Sequence, residues 1–166
     1  MLRTLYLVRH AKASLDTATQ SDYDRPLNDR GERDAPNMGL RLREKGANPQ
    51  MVLASAARRT TQTAKRIATA MRLPDDHISL TKDLYQSSPE SIARQINGVD
   101  ATVTELMIIA HNPGITELSN QLSDAFRVDN MPTCGVVGVR AEAADWREFW
   151  EAAKEVFLFE YPKKGG

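Results

Sequence analysis

An α/β fold, a three-layer sandwich with a mostly parallel central sheet flanked by helices, is what this chain of 166 residues predicts. Three observations carry that expectation. Short apolar runs at residues 5–8, 51–54 and 106–110 lack polar alternation, as strands covered on both faces do. Segments with helical spacing lie between them, and strands alternating with helices imply a parallel sheet. Each run also stops at a polar cluster, Arg9-His10 after the first, Ser55 after the second and His111-Asn112 after the third.

Element by element, residues 5–8 form the first strand. The segment 28–45 carries Ala35, Met38 and Leu42 on one face and ends at Gly46, a helix that Pro36 is expected to kink or restart. Residues 51–54 form the next strand. Thr60, Ala64, Ile67, Ala68 and Met71 recur at helical spacing, with Pro74 as a stop. Residues 78–80 read as a short strand, and 89–96 as a helix with Ser88 at its N-cap. After the strand at 106–110, Pro113-Gly114 is a turn, and Ile115, Leu118 and Leu122 mark another helix. Residues 135–139 and 156–159 are the remaining strands, a terminal hairpin closing the sheet edge. Between them, 141–154 is a loop or short helix docking Trp146, Phe149 and Trp150 on the core. Lys163, Lys164, Gly165 and Gly166 read as a frayed terminus.

Residues 1–166 have the length of one ordinary domain, without repeat, linker or sizeable cap insertion. Hydrophobic residues at 41% and charged residues at 27% argue against a disordered or disulfide-scaffold protein. The 22 Lys+Arg balance the 22 Asp+Glu, which removes the basic excess of a general nucleic-acid or anionic-membrane binder, so any anion site must be local. A lone Cys134 fits a reducing cytosol and reads as a small apolar residue at a strand start. The N-terminal apolar run is too short for a signal peptide, and no stretch reaches membrane-spanning length, so a cytoplasmic protein is expected.

In an open parallel sheet, ligands bind outside the carboxyl ends of the strands, so the polar clusters should converge. They supply Arg9, His10 and Lys12, then Arg58 or Arg59, then His111 and Asn112. Together these make an electropositive pocket with two imidazoles. Such a pocket suits a phosphoryl group, which carries roughly −1.5 to −2 charge and offers oxygens to arginine forks. A neutral, oriented histidine is also a competent covalent nucleophile. His77, beside Asp76 in a loop, reads as a solvated histidine.

Leu7-Val8-Arg9-His10-Ala11-Lys12-Ala13 resembles the Arg-His-Gly signature of the histidine phosphatase superfamily, which includes phosphoglycerate mutases and acid phosphatases. Ser55-Ala56-Ala57-Arg58-Arg59-Thr60-Thr61-Gln62-Thr63-Ala64 resembles its Ser-Pro-x-x-Arg-x-x-Gln-Thr-Ala element, which puts the family's arginine at Arg59. Ala110-His111-Asn112-Pro113 resembles the second-histidine motif, and Asp24-Arg25-Pro26-Leu27-Asn28-Asp29-Arg30-Gly31 the loop after the first motif. The short chain, Leu84-Tyr85 and Tyr161-Pro162-Lys163 look most like the SixA-type phosphohistidine phosphatases. Ala11 stands where the family usually has Gly, and Ala56 where it has Pro.

The resemblance implies a phosphoglycerate mutase-like fold and a hydrolase without metal or cofactor. In it, Arg9, Arg59 and His111 bind the phosphoryl group while His10 attacks phosphorus and forms a phosphohistidine intermediate. Lys12 and Asn112 stand at the pocket edge. Asp83 is the one candidate general acid in the corresponding region. Nothing local would raise its pKa, so it reads first as a solvated aspartate, which favours a phosphoramidate over a phosphoester substrate. The expected partner is a phosphorylated protein carrying phosphohistidine, or a small phosphorylated molecule, with no nucleic acid and no membrane. Alternatives are a phosphoester phosphatase or mutase, and a catalytically silent phosphate-binding module. A zinc hydrolase built on His10 and His111 lacks a third ligand at recognisable spacing.

Overall fold

A computed structural model describes residues 1–15 and 21–163. Residues 164–166 of the expected frayed terminus lie outside the described residues. Among the described residues, six strands form one sheet: β1 (Leu2–Arg9), β2 (Met51–Ser55), β3 (Ile78–Thr81), β4 (Glu105–Ala110), β5 (Val136–Glu142) and β6 (Glu155–Glu160). Their spatial order is β3-β2-β4-β1-β5-β6. The β3-β2-β4-β1 block is parallel throughout, and β5 and β6 each run antiparallel to the strand before them in that order.

The helices are α1 (Asp29–Glu44), α2 (Arg58–Ala70), α3 (Pro89–Asn97), α4 (Gly114–Gln121) and α5 (Trp146–Glu151). Two buried clusters show how they are layered. Leu5, Leu7, Leu106 and Ile108 pack with Ile92, Ile96, Ile115, Leu118, Trp146 and Phe149, which places α3, α4 and α5 on one face. Tyr6, Val8, Met107 and Ile109 pack with Ala35, Met38, Leu42, Ala64 and Ile67, which places α1 and α2 on the other. Strand residues alternate between two apolar layers, so the runs look uniformly apolar in sequence.

Local chemistry sets the helix ends. Asn28 Oδ1 accepts from the Gly31 N–H at 2.9 Å, Ser88 Oγ from Ser91 at 3.1 Å and Asp145 Oδ1 from Glu148 at 2.8 Å, three side-chain N-caps. The expected interruption at Pro36 does not occur: α1 runs unbroken through it. Pro36 removes one backbone bond, but Gly31 and Ala35 before it and Met38, Gly39 and Leu42 after it are all buried on the same helix face. Packing on both sides of the proline outweighs a local penalty of about 3 kcal/mol. The segment 141–154 resolves into the end of β5 followed by α5, with Trp146 and Phe149 fully buried.

Two backbone approaches hold the loops that follow β1 and β4. A Cβ on Gly31 would lie 2.2 Å from the Lys12 carbonyl oxygen, so glycine lets α1 sit directly against the chain leaving β1. There Asn28 N–H donates to the same Lys12 carbonyl at 3.0 Å. A Cβ on Gly114 would lie 2.1 Å from the Ser87 carbonyl oxygen, where α4 meets the loop before α3. No described helix is long and apolar enough to cross a membrane.

Candidate active site

Register decides what meets at the carboxyl edge. Arg9 pairs with Ala110 across β1 and β4, and Ala54 with Ile109 across β2 and β4, so Arg9-His10, Ser55 and His111 leave the sheet side by side. They open on a cleft of about 240 Å3 lined by Arg9, His10, Lys12, Arg25, Arg59, His111, Asn112 and Thr133 among others. The expected convergence of the polar clusters is therefore what the fold produces. Arg59 stands in the first turn of α2 and is 4% exposed, whereas Arg58 points to solvent.

The His10 and His111 rings lie 5.3 Å apart between centroids. His10 Nδ1 is 2.7 Å from the Ala11 carbonyl oxygen. A carbonyl only accepts, so Nδ1 carries the proton and Nε2 keeps its lone pair. Burial, aided by His111, Arg59 and Arg9, pulls the His10 pKa down to about 3, against the weaker opposing effect of the Ala11 bond. At neutral pH the ring is therefore uncharged, with a free lone pair on Nε2, the state in which an imidazole is competent as a nucleophile. Around it, the Ala11 N–H donates to Thr63 Oγ1 at 3.0 Å, and Thr63 donates to the Arg59 carbonyl at 2.7 Å, which ties the chain after β1 to α2.

His111 takes the opposite tautomer. Arg59 Nη2 donates to its Nδ1 at 3.2 Å, and its Nε2 donates to Ser55 Oγ at 2.8 Å. Burial, then the Arg59 charge, lowers its pKa to about 4. Arg9 Nη1 donates to the Met131 carbonyl at 2.8 Å. The Nε atoms of Arg9 and Arg59 are buried without a hydrogen-bond partner among the described residues. A buried donor left unpaired costs about 1–3 kcal/mol, so two in residues lining one cleft mark a place for an acceptor.

The neutral buried imidazoles make a prediction about stability. In the unfolded chain they titrate near 6.5, and in the folded chain near 3 and 4, so between those values the unfolded chain binds more protons. Their contribution is fully present above about pH 6.5 and drains away as pH falls through the folded values, by up to about 1.4 kcal/mol per pH unit per group. Urea midpoints measured from pH 7.5 down to pH 5 should fall with acidification, with a shallower fall in His10→Phe.

The remaining expected residues divide. Lys12 is exposed and lines the cleft. Asn112 lines it too, but its amide is committed elsewhere: Nδ2 donates to Asn130 Oδ1 at 2.6 Å and to the Met131 carbonyl at 3.3 Å, while Oδ1 accepts from Thr116 at 2.5 Å. Asn112 thus holds the loop that also receives Arg9. Asp83 does not reach the cleft. It is exposed in a short 3-10 turn (Lys82–Leu84) that ends β3, because Leu84 is the residue of that turn buried in the core. The next residue is turned toward the site instead. Tyr85 sets its ring edge-on to His111 at 5.4 Å and donates its hydroxyl to Asp22 Oδ2 at 2.5 Å.

Asp22, Arg25 and Tyr85 are the residues that sequence reasoning passed over. The signals for Arg25 and Tyr85 lay inside the quoted Asp24-Arg25-Pro26 and Leu84-Tyr85 stretches, whereas Asp22 stands in no catalytic spacing. The Ala11 methyl is buried among Val8, Leu27 and Ala35 and does not line the cleft, so this departure from Gly is absorbed by the core. Ala56 donates its N–H to the Thr81 carbonyl at 3.0 Å, a bond that a proline would forgo. Cys134 is fully buried with φ +59, and burial pushes its thiol up to about 12, so it stays an inert thiol. Its N–H donates to the Arg9 and His10 carbonyls at 3.1 and 2.9 Å.

A three-layer α/β fold with paired imidazoles and paired guanidiniums at the carboxyl edge of its parallel strands defines a class of phosphate-handling proteins, and the comparisons agree. Residues 5–84 match the family model of the histidine phosphatase superfamily (branch 1). Over that stretch the chain is similar to the superfamily, and the likeness supports phosphatase activity. An uncharacterized chloroplastic protein of Arabidopsis thaliana is 29% identical over 154 residues, covering 88% of this chain and 70% of its own. An uncharacterized protein of Mycobacterium tuberculosis is 28% identical over 165 residues, covering 94% of this chain and 100% of its own.

Among solved structures, one described as the phosphohistidine phosphatase SixA of Nakamurella multipartitia superposes with a TM-score of 0.83 at 24% identity, covering 98% of each chain. A second, described as SixA of Agrobacterium tumefaciens, gives 0.81 at 24% identity over 96% of this chain and 98% of that one. The protein histidine phosphatase SixA complexed with tungstate gives 0.79 at 20% identity over 96% of this chain and 97% of that one. At these identities the likeness establishes the fold.

Proposed function

We propose that the cleft is the active site of a metal-independent phosphatase that removes the phosphoryl group from protein phosphohistidine. One observation carries the reading: the hydrogen bond from His10 Nδ1 to the Ala11 carbonyl, which leaves a neutral Nε2 in a cleft lined by the half-buried Arg9 and the buried Arg59. In this reading the phosphoryl group is bound by Arg9 and Arg59, and by His111 once its Nε2–H leaves Ser55 Oγ for a phosphoryl oxygen. The His10 Nε2–P bond forms as the bond from phosphorus to the substrate imidazole nitrogen breaks, and that nitrogen takes a proton from solvent. Water then attacks phosphorus, the Nε2–P bond breaks, and inorganic phosphate leaves with His10 regenerated. Guanidinium groups fixed in a buried site supply the charge stabilisation on which phosphoryl transfer depends.

The substrate class rests on the missing acid. Asp83 is away from the cleft, and Asp22 is held well below the usual carboxylate range, first by the Tyr85 hydroxyl and then by Arg25 and Arg59. Asp83 is therefore out of reach of a leaving group in the cleft, and Asp22 is ionised at neutral pH. A leaving alkoxide depends on a proton donor far more than a leaving imidazole does. Among the described residues no element is inserted as a cap over the cleft, which leaves room for a protein side chain. A substrate panel of phosphohistidine protein, p-nitrophenyl phosphate and phosphoglycerate tests this. The expected result is the highest kcat/KM on phosphohistidine protein, unchanged by Asp83→Asn. A preference for phosphoesters with rates that fall in Asp83→Asn would overturn the substrate class, and phosphate binding without any turnover would leave only a binding module.

A further inference from the structure

One acidic residue is linked to both groups that would stabilise the transferring phosphoryl, to Arg59 directly and to His111 through Tyr85. Arg59 Nη1 donates to the Asp22 carbonyl at 2.7 Å, and Arg59 Nη2 to Asp22 Oδ2 at 3.1 Å, so the backbone and side chain of Asp22 together grip the outer edge of the guanidinium. The same Oδ2 accepts from Tyr85, whose ring leans on His111. Oδ1 takes Arg25 Nε and Nη2 at 3.1 and 2.8 Å, so the carboxylate separates two cations that would otherwise repel across the cleft. Arg25 is braced in turn on the Ser14 carbonyl at 2.9 Å. Asp22 belongs to a short 3-10 turn (Asp22–Asp24) and is about one-third exposed, with a side-chain accessibility of 38%. No such contact was visible in a sequence where Asp22 stands 37 residues from Arg59 and 63 from Tyr85.

We infer that Asp22 is a positioning residue for phosphoryl transfer: by holding Arg59 directly and His111 through Tyr85, it aims both at the charge that develops in the transition state. The alternative physical role for a carboxylate on the same arginine is competition, in which Asp22 occupies a donor that the phosphate needs. The geometry favours positioning. Asp22 takes one hydrogen from each Nη and His111 Nδ1 takes the second of Nη2, but Nη1 keeps its second hydrogen and the buried Nε of Arg59 has no partner among the described residues. Donors therefore remain for a bound anion while the guanidinium stays anchored. An anchored donor stabilises a transition state without reorganising at the moment of reaction, and a loosely held one still binds ground-state phosphate.

This inference rests on the phosphatase reading of the cleft, and binding measurements separate the two. Asp22→Ala and Tyr85→Phe would be compared with wild type by calorimetric titration with inorganic phosphate and with orthovanadate, and by steady-state turnover of a phosphohistidine peptide. Positioning predicts that Asp22→Ala loses about 10-fold or more in vanadate affinity and a comparable factor in kcat, with phosphate affinity changed less than about 3-fold, while Tyr85→Phe shows a smaller loss in the same direction. Tighter phosphate binding in Asp22→Ala would establish competition and overturn the inference. So would equal losses for both anions, or a wild-type kcat in a folded Asp22→Ala protein. If wild type binds both anions but turns over no substrate, the phosphatase reading fails, and the two affinities still decide whether Asp22 orders the cleft.

Discussion

Replacing His10 by Ala is expected to abolish turnover, by about 10⁴-fold or more, together with acid-labile phosphorylation of the enzyme. The expectation follows from the ring's surroundings. His10 is 8% exposed, its Nδ1 is held by the Ala11 carbonyl, and its pKa near 3 keeps Nε2 unprotonated throughout the neutral range. No other group in the cleft has that combination: Arg59 donates to Nδ1 of His111, and Ser55 accepts from its Nε2. The measurement is labelling with a radioactive phosphoryl donor, an acid quench, and turnover of the phosphohistidine peptide. Retention of either labelling or turnover in His10→Ala would remove His10 from the nucleophile's role. Because β1 and the loop at Gly135 and Cys134 are held by backbone bonds, the variant should fold, and its urea transition checks that.

Replacing Arg59 by Ala is expected to cost about 10²- to 10³-fold in kcat, the usual loss for one fixed donor to developing charge. Arg59 is buried at 4% exposure, bonds to His111 and Asp22, and lines the cleft with an unpaired Nε. Its removal frees the His111 Nδ1 and leaves Asp22 to Arg25 and Tyr85 alone. Arg59→Lys keeps the charge but has no planar fork, so it should recover only part of the loss. Arg58→Ala makes the contrast. Arg58 is exposed and reaches only the Asp24 carbonyl, at 3.5 Å, so its kcat should stay within about 3-fold of wild type. A larger effect at Arg58 than at Arg59 would reverse the assignment of the phosphate-binding arginine. Stopped-flow or steady-state assays on the phosphohistidine peptide read both.

Most of the architecture was legible because its determinants are local. Ser88 and Asn28 cap helices through bonds that span three residues, and the apolar positions of α2 repeat within a turn. Pro36 was misread for the opposite reason: its local penalty was visible, and the packing of α1 on α2 that outweighs it was not. Asp83 was placed near the chemistry because it precedes Leu84-Tyr85 in the chain. In space, burial of Leu84 turns Asp83 outward and Tyr85 inward. A 3-10 turn changes side-chain direction with each residue, so adjacency in sequence does not predict which neighbour faces the cleft.

By itself the sequence determined the alternation of strands and helices and the three strand ends where Arg9-His10, Ser55 and His111 emerge, because hydrophobic period and strand termination are written within a few residues. Only the tertiary structure decided which ring nitrogen of each histidine carries the proton, which arginine is buried, and that Asp22 and Tyr85 join Arg59 and His111. The physical reason is that a proton or a hydrogen bond is settled by whichever acceptor lies within about 3 Å, and here the deciding partners include Ala11 next in the chain, Asp22 at a separation of 37 residues and Ser55 at 56.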